Sequence, residues 1–102
     1  MFTPESDLLS KLKLMERLKA QLVTGMGHVF EALADYGEKS LLDALANLAI
    51  AVYVLARRHG IDFASLEEDM VTKLRQPGKR DSELEKLFGD YSQLARYLKQ
   101  KR

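Results

Sequence analysis

Between positions 41 and 56 the chain reads LLDALANLAIAVYVLA, apolar on every side of a helix except at Asp43 and Asn47. A helix with no polar face has to be covered all round, and this run is shorter than the ~20 apolar residues that span a bilayer. The pattern predicts the inner rod of a helical bundle. Upstream, apolar residues recur at Leu8, Leu12, Met15, Leu18, Leu22, Met26, Val29, Leu33 and Tyr36. Their steps of three and four are helical periodicity, and Lys11, Lys13, Glu16, Arg17 and Lys19 fall largely off that stripe. Thr3-Pro4 reads as an N-cap followed by proline at the first helical position. Gly25 and Gly27 lie inside the pattern, where each costs about 1 kcal/mol against alanine. They predict a kink, a division into two helices, or close helix packing.

Gly37 has the character of a residue just past a helix end, and the next helix is expected to start at Ser40, with Asp43 completing a capping-box-like pair. That helix ends in Arg57-Arg58-His59-Gly60, where cations complement the dipole and Gly60 supplies a left-handed cap. The short connection makes the first two helices antiparallel neighbours. A third helix follows Ile61-Asp62, capped by Asp62 or by Ser65 in a box with Glu68, and carries Phe63, Leu66, Met70 and Leu74 on one face. Pro77-Gly78-Lys79-Arg80 reads as a break. A last segment opens at Ser82, with Glu85 three residues on, and carries Leu84, Leu87, Phe88, Tyr91, Leu94 and Leu98. Gly89-Asp90 divides it, with Asp90 recapping the second half. No segment alternates with period two over any length, so no sheet is expected.

The resulting expectation is an all-α, antiparallel bundle of four to five helices in a single domain over 1–102. Its core covers about 5–76 and a C-terminal helical segment about 81–100. So few short helices cannot cover the rod, which predicts completion by a C2 homodimer. Composition narrows the functional classes. Sixteen basic and 15 acidic residues nearly cancel, which gives no electrostatic case for nucleic acid or an anionic membrane as partner. With no cysteine, disulfides, thiolate metal sites and thiol catalysis are excluded, in keeping with a cytoplasmic protein. The N-terminus mixes acids and bases without a continuous apolar stretch, unlike a secretory signal.

Four residues form the candidate polar face: His28, Glu31, Asp43 and Asn47. Asp43 and Asn47 are one helical turn apart and share a face. They read either as part of a metal or nucleotide face, or as a cap (Asp43) and a buried amide fixing helix register (Asn47). His28 and Glu31, with Asp35 a further turn on, read as a polar stripe or as an ordinary exposed face. Glu67, Glu68 and Asp69 are expected in a first helical turn, opposite the positive end of the dipole. Gly25-x-Gly27 is no dinucleotide fingerprint, since no strand precedes it and Phe30 stands where a third glycine would. The tail 99–102 is expected to fray.

The order of elements, with DALANLAIAVYVLARRHGID followed by SLEEDMVTKLRQ, resembles the MazG-like family of the all-α nucleoside triphosphate pyrophosphohydrolase superfamily. The likeness covers about residues 22–76 and is strongest over 43–62. ELEKLFGDYSQLARYLKQ is similar to a short bacterial subgroup. The resemblance implies a helical bundle in which an E-E-x-x-E motif faces an E-x-x-D motif and holds Mg²⁺ against a triphosphate. The corresponding positions here carry Thr24, Gly25 and His28, then Ala44 and Asn47, and none is a carboxylate. Glu31 and Asp43 are the nearest acids and the weak metal candidates. Two functions follow: a catalytically degenerate relative that binds a nucleotide or serves as a scaffold, or an active pyrophosphohydrolase using Mg²⁺ or Mn²⁺. Nucleic-acid binding is a third, less favoured class.

Overall fold

The computed structural model describes residues 4–35 and 37–101. They form six helices: α1 (Pro4–Asp35), α2 (Glu38–Arg58), α3 (Phe63–Leu74), α4 (Pro77–Arg80), α5 (Glu83–Phe88) and α6 (Asp90–Gln100). No strand occurs among the described residues, so the fold is all-α as expected, with six helices in place of four or five. The chain divides into two compact units, with the boundary in the sequence between Gly60 and Ile61.

The first unit is the α1–α2 pair. A connection of two residues between these helices makes them antiparallel. The buried and half-buried positions of α1 are Met15, Leu18, Leu22, Gly25, Val29 and Ala32; those of α2 include Leu41, Ala44, Leu48, Ala51 and Leu55. Both sets step alternately by three and four, the spacing of a heptad seam. The seam is rich in small residues, so the backbones approach closely. A Cβ added at Gly25 would lie 3.3 Å from Leu48 Cδ1, whereas one at Gly27 would meet nothing within 4 Å. The packing reading of Gly25 therefore holds, and α1 runs through both glycines without dividing.

Several sequence expectations change in this unit. The expected Thr3 cap, and Tyr36 of the apolar stripe, lie outside the described residues. Gly37, not Ser40, is the N-cap of α2, and at φ −88° it is not a left-handed helix terminator. Ser40 and Asp43 lie inside the helix, so Asp43 does not cap it. Gly60 does take the left-handed conformation, at φ 84°. Rather than being wrapped by its neighbours, α2 leaves much of its apolar surface uncovered; Leu42 is 65% exposed and Ile50 60%. At 21 residues, it is also long and apolar enough to cross a membrane, unlike the shorter run read from the sequence.

In the second unit, Leu74 of α3 packs with Ala95 and Leu98 of α6, flanked by Met70, Val71 and Tyr91. Asp62 is the N-cap of α3, its carboxylate accepting from the Ser65 N–H at 2.8 Å, which decides between the two expected caps. Pro77-Gly78-Lys79-Arg80 forms the short α4 rather than an open break. Ser82 caps α5 as expected. Gly89, at φ 68°, separates α5 from α6, yet the α6 start is not capped by Asp90. The Glu85 carboxylate accepts from the backbone N–H of Tyr91 and Ser92, at 2.9 and 3.2 Å, and from the Ser92 hydroxyl. Leu87 and Phe88, expected on the core stripe, are exposed.

Glu67 lies beyond the first turn of α3 and is buried, 7% exposed. Its carboxylate accepts from Lys101 Nζ at 3.0 Å. A buried carboxylate needs such a partner because removing it from water costs several kcal/mol, of order, without one. The dipole account of Glu67 therefore gives way to an ion pair, and the tail is tied down at Lys101.

Candidate functional site: the polar groove of the first unit

The position preceding each seam residue tends to be polar. On α1 these positions are Gln21, Thr24, His28 and Glu31, with Asp35 one turn further on; on α2 they are Ser40, Asp43 and Asn47. In antiparallel helices the positions just before the seam emerge on the same side, since reversing one helix also reverses its sense of rotation. The two polar stripes should then form opposite walls of one groove, and they do. His28, Glu31 and Asp35 face Ser40, Asp43 and Asn47 across a cavity of about 330 Å³, with Ala32 and Ala44 between them. A neighbouring cavity of about 380 Å³ is bordered by Gln21, Thr24, Gly25 and Ile50, and shares His28 and Asn47 with the first.

All four residues of the expected polar face thus line the same groove. His28, Glu31, Asp43 and Asn47 are each exposed. For Asn47 this overturns the buried-amide reading: its side chain does not lie in the seam, whose positions belong to Leu48 and Ala44. His28 and Glu31 are exposed and stand in the polar stripe of α1. Sequence reasoning did not assign Gln21 or Ser40 to the groove. Their spacing from Thr24 and Asp43 could have done so, once the seam was placed one residue later on each helix.

The same geometry locates the five positions that the family motifs would occupy. Thr24, His28 and Asn47 stand on the groove walls, while Gly25 and Ala44 are buried in the seam beneath. Glu31, Asp35 and Asp43 supply carboxylates to the groove. Even so, no three His, Asp or Glu side chains among the described residues converge closely enough to hold a metal ion. Mg²⁺ takes oxygen ligands and is commonly held by one or two carboxylates together with waters and phosphates, so an ion here would rest on Glu31, Asp35 or Asp43 without a preformed three-ligand cage.

The MazG-like family model matches residues 8–91. This span exceeds the resemblance read over 22–76 at both ends and takes in both units. The chain belongs to the MazG-like family. Comparison with curated proteins and with solved structures found no match.

Proposed function

We propose that this MazG-like protein is a catalytically degenerate member of its superfamily that binds a nucleotide, or acts as a scaffold, through the α1–α2 groove without hydrolysing it. The supporting observation is the donor set: the motif positions are Thr24, Gly25, His28, Ala44 and Asn47, and among the described residues the remaining acids do not gather into a three-ligand cluster. A triphosphate carries several negative charges, and Glu31, Asp35 and Asp43 repel it unless a cation intervenes. Binding without hydrolysis would draw on donors such as His28, Asn47 and Gln21. The expected result is detectable nucleotide affinity with no pyrophosphate release above blank, across NTPs and dNTPs with Mg²⁺ or Mn²⁺. Turnover abolished by Glu31→Gln or Asp43→Asn would instead establish the second reading, an active metal-dependent pyrophosphohydrolase. The presence of three carboxylates in one groove is what favours that alternative.

The protein is also proposed to be a cytoplasmic homodimer. From Leu22 to Ala51 the residue following each seam position is apolar: Val23, Met26, Phe30 and Leu33 on α1, and Leu42, Leu45, Ala49 and Val52 on α2. They emerge opposite the polar groove, and all are exposed. An apolar face this long argues for a partner. A second copy is the occupant proposed here, because an apolar face flanking a helix–helix seam can be covered by the same face of a second chain.

A further inference from the structure

The second unit contains a cleft of about 320 Å³ lined by Leu74, Arg75, Arg80, Ser92, Ala95 and Arg96. Leu74 and Ala95 are buried and give it an apolar lining, while the three arginines are exposed. Three helices contribute them: Arg75 is the C-cap of α3, Arg80 the last residue of α4, and Arg96 lies within α6.

Three exposed cations around one small cleft give it a positive local potential. Helix dipoles account for Arg75 at the C-terminus of α3, where a cation gains roughly 0.3–1 kcal/mol, and hardly for Arg80, since α4 is a single turn of four residues. They do not explain Arg96, which is at neither end of α6. Neighbouring acids explain little more. Arg80 Nε is 3.9 Å from Asp81 Oδ1, at the outer limit of an ion pair. Glu85 feels the charge of Arg96, but its oxygens already accept from Tyr91 and Ser92. Among the described residues, no carboxylate lies within ion-pair distance of the Arg75 guanidinium.

We infer that this cleft binds a small phosphate ester, with Arg75, Arg80 and Arg96 holding the phosphate and the apolar lining receiving its carbon skeleton. Guanidinium groups present planar forks that match phosphate oxygens two at a time. The volume is at the small end of the ~300–1,000 Å³ typical of small-molecule sites. A nucleic acid would call for a basic stripe along a surface, whereas these cations surround a single cleft. The inference is independent of whether the α1–α2 groove hydrolyses anything.

The test uses the full chain, titrated with glycerol 3-phosphate and, separately, inorganic phosphate, while the arginine Nε–Hε resonances are followed by NMR. Saturable shifts are expected at Arg75, Arg80 and Arg96 but not at Arg17 or Arg58, with the ester binding more tightly than the free ion. Arg75→Gln and Arg96→Gln should each weaken the ester by about tenfold, as loss of a charge-assisted contact does. Both sites are exposed, so the circular dichroism spectrum should not change. Equal affinity for ester and free ion would overturn the ester assignment. Linear, equal shifts at every arginine would overturn the site itself, as would undiminished affinity when all three arginines are replaced by glutamine.

Discussion

Within the α1–α2 seam, the side chain missing at Gly25 sets how closely the helices approach. An alanine there would press its Cβ to 3.3 Å from Leu48 Cδ1, the movable end of a side chain. The small displacement should roughly cancel the ~1 kcal/mol of helix propensity gained, leaving Gly25→Ala near neutral. Gly25→Leu has no such escape, because Leu48 Cα is only 3.8 Å from the same Cβ position. Overpacking of this kind costs typically ~1–3 kcal/mol, to be read from urea unfolding. Gly27→Ala, into open space, should instead stabilise the protein by up to about 1 kcal/mol. A Gly25→Leu variant as stable as the parent would show that the seam is not tight. In the second unit, Leu98 is 3% exposed, and Leu98→Ala should cost roughly 2–5 kcal/mol. Sequence alone revealed two glycines but not which of them packs, because that depends on how the partner helix is rotated. The two readings of Asn47, groove face or buried amide, were inseparable in the sequence for the same reason. In a helix apolar on nearly every side, the pattern does not say which stripe meets the neighbour.

At the scale of elements, the α5–α6 junction depends on one carboxylate. Hydrogen bonds from the Ser92 side chain foremost, then from the Ser92 and Tyr91 backbone, with the charge of Arg96, hold the Glu85 pKa below its ordinary 4.5 against the opposing effect of desolvation. Between the lowered folded value and the ordinary unfolded one, the unfolded chain binds more protons, so stability rises with pH there. The stabilisation is complete above pH 4.5 and is lost as pH falls through the Glu85 folded value. Glu85→Gln should therefore lower the unfolding temperature at neutral pH, and the gap from the parent should close in acid. A gap that stays constant down to the acid limit would mean the carboxylate charge is immaterial. The Ser82 cap was legible because donor and acceptor are three residues apart. The Glu85 cap was not, since its targets lie six and seven residues on, beyond the left-handed Gly89. Ser40 was misassigned as a cap because the chain enters α2 earlier, at Gly37. The unbroken course of α1 shows tertiary packing along the seam outweighing two glycine penalties of about 1 kcal/mol each.

For the whole molecule, family and helical class were readable because long 3–4 periodicities and the 43–62 stretch survive in the sequence. The chemistry was not, because the acids that would declare it are missing, and an exposed groove of mixed polar residues has no diagnostic spacing. What the structure adds is a division of the hairpin into two faces. Polar side chains flank one side of the seam, and Val23, Met26, Phe30, Leu33, Leu42, Leu45, Ala49 and Val52 flank the other. If the second face is where two copies meet, association should be sensitive to charge there and indifferent to charge in the groove. Sedimentation should then show a dimer that dissociates on dilution. Phe30→Glu combined with Leu42→Glu should be monomeric while keeping its helical content, since Phe30 is 69% and Leu42 65% exposed within a single chain, outside the α1–α2 seam. A His28→Glu and Asn47→Asp variant, altered only on the groove walls, should remain dimeric. A parent that is monomeric at every concentration would rule out the homodimer, and a dimer broken by the groove variant and not by the apolar-face variant would place the interface elsewhere.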